Sequence, residues 1–121
     1  MKFYICPICG NVIYLVEGNH NSLRCCGKEM VLLEPNTKDA ALEKHIPYCI
    51  VEGDKVKVTV GEVVHPMDED HYIGWIAMEN DNIVIIVWLK PGDRPEAIFD
   101  YKKGSIIYAY CNKHGFWKTE I

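Results

Sequence analysis

Lys55-Val56-Lys57-Val58-Thr59-Val60 alternates polar and apolar residues without a break. Successive side chains of a strand leave opposite faces, so this stretch predicts a half-buried strand with one wet face. Outward from it, residues 46–51, 73–78, 83–89, 105–110 and 116–119 are short runs rich in β-branched and aromatic side chains. Turn signals separate them: Gly53-Asp54, Asn80-Asp81-Asn82, Pro91-Gly92-Asp93 and Lys102-Lys103-Gly104. Six or seven strands at this spacing predict a mainly β unit, an antiparallel sandwich of immunoglobulin-like type, over residues 37–121. The one helical expectation is a single turn near residues 39–44.

Residues 1–36 read differently. Two apolar runs, 11–16 and 30–33, flank the polar loop 17–24 and are punctuated by cysteine pairs. A piece below about 40 residues buries too little to fold unaided and needs a metal, disulfides or a partner chain. The polar stretch Glu34-Pro35-Asn36-Thr37-Lys38-Asp39 is the expected linker. In total, 121 residues, 49% hydrophobic and 25% charged, hold one ordinary domain and a small appendage. No apolar run reaches the length of about 18 residues that a spanning helix needs. Cys6 arrives before any signal-type run develops, so an unexported, cytoplasmic protein is expected. The net charge is −4, with three basic and three acidic side chains in residues 1–36 and ten and fourteen in the remainder. That balance argues against nucleic acid or a membrane surface as partner.

Six cysteines and five histidines are the chemically informative residues. In a reducing compartment clustered thiols favour metal over disulfides. Cys6-Pro7-Ile8-Cys9-Gly10 is a CxxC turn, followed by the adjacent pair Cys25-Cys26 before Gly27. Four thiolates suit zinc or iron. Neighbouring residues in a strand point to opposite faces, so the adjacent pair is expected to distort a tetrahedron, and spacing alone leaves zinc and iron open. A second set comprises His45, His65, His71, Cys111 and His114, the last two in the CxxH turn Cys111-Asn112-Lys113-His114. All of its histidines fall at strand ends or in loops, where sandwich domains gather their exposed sites. Five donors exceed the count of structural zinc and point to an octahedral ion with one open position. His20 reads as a solvated loop residue, and Cys49 as a small hydrophobe sharing a strand face with Val51.

These motifs resemble the desulfoferrodoxin family, the two-iron class of superoxide reductase. CPICG (6–10) and RCCGKEM (24–30) are similar to its desulforedoxin-like module, and EKHIPY (43–48), VVHPMDEDHYIGW (63–75) and AYCNKHGFW (109–117) to its catalytic domain. The resemblance implies a small rubredoxin- or desulforedoxin-like iron module over 1–36, its iron held by Cys6, Cys9, Cys25 and Cys26. It further implies a catalytic sandwich over 37–121, with His45, His65, His71 and His114 in the equatorial plane of a second iron and Cys111 axial. The implied reaction reduces superoxide to hydrogen peroxide, with Lys44 steering the anion and Glu43 as a sixth ligand after turnover. A rubredoxin-like donor and a homodimer are implied as partners, and the four-cysteine iron as electron relay or structural staple. Three other readings stand beside it. A superoxide dismutase shares the substrate but must also oxidise superoxide to oxygen, for which an electron-rich, readily reoxidised site is poorly suited. A zinc hydrolase with Glu43 as base needs only three of the five donors; a non-enzymatic electron-transfer or storage protein needs both irons but no open position.

Overall fold

The structure is a computed structural model that describes residues 2–36 and 42–121. The chain divides into two compact units, Met1–Glu34 and Pro35–Ile121. Residues 37–39 of the expected linker and 39–41 of the expected helical turn lie outside the described residues.

In the first unit β1 (Phe3–Ile5) is the centre of an antiparallel sheet, between β2 (Val12–Tyr14) and β5 (Val31–Leu32). A separate hairpin joins β3 (Arg24–Cys25) to β4 (Lys28–Glu29). The apolar core is Phe3, Tyr4, Cys6 and Leu33, with the Phe3 ring edge-on to Tyr14 at 4.9 Å. Burial of these few side chains, at about 1.5–3 kcal/mol each, falls short of the ordering entropy of such a segment. A cross-link through the cysteines or a partner chain has to make up the difference.

The second unit opens on α1 (Leu42–His45), the part of the expected turn that is described, and continues with seven strands. Its three-stranded sheet has the order β10 (Glu96–Asp100), β7 (Lys55–Val60), β6 (Pro47–Glu52). Its four-stranded sheet has the order β12 (Gly115–Glu120), β11 (Ile106–Cys111), β8 (Ile73–Glu79), β9 (Val84–Trp88). All pairings are antiparallel. The alternation that opened the sequence reading places Val56, Val58 and Val60 inward, against Ile73, Ile76 and Met78 of β8, Ala97 and Phe99 of β10, and Ile107 and Ala109 of β11. Cys111 belongs to this same core, so one candidate ligand is anchored in the packed interior. The unit is the expected antiparallel sandwich. The strand 96–100 adds to those read from the sequence: only Ala97 and Phe99 of it are buried. Cys49 packs half-buried against the core, while Val51 on the same strand is exposed, because β6 is a sheet edge. Among the described residues no helix is long and apolar enough to cross a membrane.

Candidate metal centres

Both sets of sequence-predicted donors converge, each within its own unit. In the first, the sulfurs of Cys6, Cys9, Cys25 and Cys26 lie within 4.8 Å of one another. The Cys6–Gly10 turn folds back, with Gly10 donating its N–H to the Cys6 carbonyl at 3.1 Å. The N–H groups of Ile8 and Cys9 point at the Cys6 sulfur, at 3.4 and 3.5 Å. The Sγ separations Cys9 to Cys25 and Cys25 to Cys26 are 3.7 and 3.9 Å. Four sulfurs each about 2.3 Å from one ion in a tetrahedron stand about 3.8 Å apart, so this donor set fits a thiolate-bound ion.

The adjacent pair brings both of its sulfurs to the set, and the backbone explains how. Cys25 closes β3 opposite Lys28, leaving Cys26 and Gly27 as a two-residue hairpin loop. Their φ angles are 52° and 72°. This left-handed pair, as in a type I′ turn, swings Cys26 out of strand alternation and back toward Cys25. Without a cation the four thiols cannot all ionise. The N–H of Cys9 and then that of Ile8 pull Cys6 down to about 6, whereas proton sharing with Cys6 and Cys9 pushes Cys25 up to about 12. His20 is outside this set: it is exposed on a 3-10 turn, its ring stacked 6.1 Å from that of Tyr4.

In the second unit four imidazoles form a square. Neighbouring centroids are 4.6 Å apart for His45 and His65, 4.7 Å for His65 and His71, 5.0 Å for His71 and His114, and 4.9 Å for His114 and His45. Each neighbouring pair is edge-to-face, and the diagonal from His45 to His71 is 6.4 Å. His45 Nε2 is 3.1 Å from both His65 Nε2 and His114 Nδ1. Nitrogens about 2.1 Å from one ion are about 3.0 Å apart at right angles and about 3.4 Å apart in a tetrahedron, so the spacing fits corners of a square. Donor atoms of His45, His71, Cys111 and His114 fall within 4.8 Å of one another. His71 Nε2 is buried without a hydrogen-bond partner, as a nitrogen aimed at a cation would be.

The tautomers and charges suit this use. His65 Nδ1 donates to the Pro66 carbonyl at 2.7 Å, which leaves Nε2 as the free lone pair. Burial drives His65 down to about 4 and lowers His71, so both rings are neutral near neutrality. Burial pushes the Cys111 thiol up, opposed by the His114 N–H, which lies 3.4 Å from its sulfur.

One short helix and three loops hold the square. His45 ends α1 and is buried, while Glu43 and Lys44 on the same turn are exposed. His65 follows the 60–65 turn, whose Val63 N–H donates to the Glu43 carbonyl at 2.9 Å. Gly61 lies so close beneath α1 that a Cβ there would stand 2.7 Å from the Glu43 carbonyl oxygen. His71 closes the 68–71 loop through paired hydrogen bonds with Asp68. His114 lies in the loop between β11 and β12, which ends at Gly115 with φ 77°. Trp117 supports two corners, stacking on His45 and donating its indole N–H to the His114 carbonyl. Sequence reasoning singled out neither Gly61 nor Trp117.

The desulfoferrodoxin N-terminal domain model matches residues 1–33, and the desulfoferrodoxin model matches residues 37–120. The chain belongs to the desulfoferrodoxin family. A desulfoferrodoxin homolog of Archaeoglobus fulgidus is 45% identical over 98% of this chain and 96% of its own length. The desulfoferrodoxin of Syntrophotalea carbinolica is 43% identical over 99% of this chain and 96% of its own. Among solved structures, the superoxide reductase of Treponema pallidum superposes with a TM-score of 0.75 at 31% identity, covering 99% of this chain and all of that one. The superoxide reductase of Giardia intestinalis, a one-iron protein, matches with a TM-score of 0.56 at 32% identity, covering 65% of this desulfoferrodoxin-family chain and 97% of its own.

Proposed function

We propose that the protein is a superoxide reductase carrying two mononuclear irons per chain. Cys6, Cys9, Cys25 and Cys26 hold one; His45, His65, His71, His114 and Cys111 hold the other. The observation that carries this reading is the square of four imidazoles beside a buried thiol. Five donors of this kind leave one of six positions for a ligand. The resident iron supplies, when bound, the single electron that superoxide takes up with two protons to become hydrogen peroxide.

The imidazoles bring no negative charge and Cys111 brings one, so the donor set leaves a divalent ion with a net charge of about +1, which favours an anion. Lys44, exposed beside buried His45, draws superoxide in against an unfavourable net charge of −4 and orders water for proton delivery. Glu43, on the same turn, would supply a carboxylate as sixth ligand after turnover, displacing the product. The four-cysteine iron serves as electron relay or structural staple. A rubredoxin-like protein is the external donor, and the active form is a cytoplasmic homodimer with units at 1–36 and 37–121.

Metal analysis, optical spectra and rapid mixing of the reduced protein with superoxide test the proposal. Two irons per chain and peroxide formed without oxygen are expected. Zinc at either site, or oxygen evolved with the peroxide, overturns it. Lys44→Ile is expected to slow the bimolecular step and flatten its ionic-strength dependence; an unchanged rate removes the steering role.

A further inference from the structure

β11 and β8 pair in register from Ile106 with Glu79 to Tyr110 with Trp75, but Cys111 then faces Ile73. Gly74 is the extra residue of this bulge. The shift brings Asn112, the first residue past β11, opposite Tyr72, the first before β8. Here the chain turns away toward His114, and the side chain of Asn112 continues the ladder in its place. Asn112 donates its backbone N–H to the Tyr72 carbonyl at 3.1 Å. Its Oδ1 accepts the Tyr72 N–H at 2.8 Å, and its Nδ2 donates to the Asp70 carbonyl at 3.0 Å. The residues on both sides of His71 are thereby tied to the residue that follows Cys111.

This matters because His71 has little other support. Its backbone is joined to Asp68 within its own short loop, and its Nε2 has no hydrogen-bond partner. The loop 68–71 has a sequence, Asp68-Glu69-Asp70-His71, with no apolar residue to anchor it in the core. Outer hydrogen bonds that fix a ligand's orientation are commonly worth 10- to 100-fold in metal affinity.

We propose that Asn112 is a positioning residue: its carboxamide clamps the His71 loop onto the Cys111–His114 turn, fixing the fourth corner of the square. The inference rests on the metal-site reading above but not on the identity of the metal or substrate. Asn112→Ala removes both side-chain bonds. Asn112→Asp keeps the acceptor for Tyr72 and loses the donor to Asp70.

The test is titration of metal-free protein with Co²⁺, whose visible absorption reports coordination number. Asn112→Ala should bind Co²⁺ at the histidine site about 10-fold or more weakly, with an altered spectrum, and Asn112→Asp should fall between it and the wild type. Because the clamp acts through His71, adding Asn112→Ala to His71→Ala should weaken binding no further. Wild-type affinity and spectrum in Asn112→Ala overturn the proposal. So does an additive loss in the double variant, which would mean a merely structural role. Should Asn112→Ala fail to fold, Asn112→Asp with His71→Ala supplies the same cycle. A protein that fails the superoxide assay still gives either outcome here, so the two failures are distinguishable.

Discussion

The indole of Trp117 lies against the imidazole of His45, ring centroids 4.9 Å apart and planes 29° from parallel. The same fully buried side chain donates Nε1–H to the His114 carbonyl at 3.0 Å. One residue of β12 thus sets two corners of the histidine square, one by its face and one by its edge.

Trp117→Phe keeps a face for His45 but has no N–H for His114. A net hydrogen bond is worth about 1 kcal/mol, and a smaller ring leaves a void that a packed core closes only in part. A loss of about 2 kcal/mol from the second unit is expected in denaturant unfolding. Metal should leave the histidine site to a chelator several-fold faster, with the four-cysteine site unchanged. Equal release rates would mean that the indole contributes packing alone.

Gly61 constrains the opposite side. A Cβ there would stand 2.7 Å from the Glu43 carbonyl oxygen and 2.9 Å from both the Ile46 carbonyl oxygen and the Lys44 carbonyl carbon. All three are backbone atoms, so no side chain can swing aside and α1 itself must move. Gly61→Ala is therefore expected to cost about 1–3 kcal/mol and to displace His45 together with Glu43 and Lys44. Reaction with superoxide should slow even in molecules that retain metal. A crystal structure of the variant with α1 unmoved would contradict this.

Such residues were invisible in the sequence for a physical reason. Strands with clean alternation, 55–60 above all, could be read directly, because inward and outward faces differ in composition. Residues 96–100 could not, since their inward pair is Ala97 and Phe99 and the outward Ile98 is apolar too. The donors announce themselves by residue type and spacing, and resemblance supplies the metal and the reaction. Gly61 beneath Glu43, Trp117 on His45 and Asn112 around His71 are contacts between distant segments, carried by residues with no metal chemistry of their own. How Cys25 and Cys26 turn to one side is likewise illegible in strand alternation, because the chain adopts two left-handed residues there.

Cys49 offers a pH-dependent check on the assignment of thiols. It is the cysteine outside both clusters, and burial pushes it up to about 11 from an ordinary value of 9.0. At pH 8 its thiolate fraction, and with it the rate of alkylation in the metal-loaded protein, should be about 100-fold below that of an exposed cysteine. The rate should climb roughly tenfold per pH unit until about 11. The raised value also means that the unfolded chain loses this proton first, so the associated stability is intact below pH 9.0 and is lost as pH rises toward about 11. Rapid labelling at pH 8 would place the thiol in a more open environment.

The hairpin at Cys26-Gly27 allows turn conformation to be separated from ligation. Both residues have positive φ, at 52° and 72°, and a Cβ on Gly27 would meet nothing within 4 Å. Any cost of a side chain at Gly27 is therefore conformational, about 1–2 kcal/mol for a β-branched residue forced into the left-handed region and less for asparagine. Gly27→Val should weaken metal retention in the first unit, and Gly27→Asn should restore much of it, although neither touches a donor atom. Cys26→Asn keeps a residue that tolerates the turn but removes one sulfur, and should lose the four-thiolate absorption altogether. The histidine site's spectrum should be unchanged in all three variants. If Gly27→Val retains metal as the wild type does, the left-handed pair is not what brings the adjacent sulfurs to one ion.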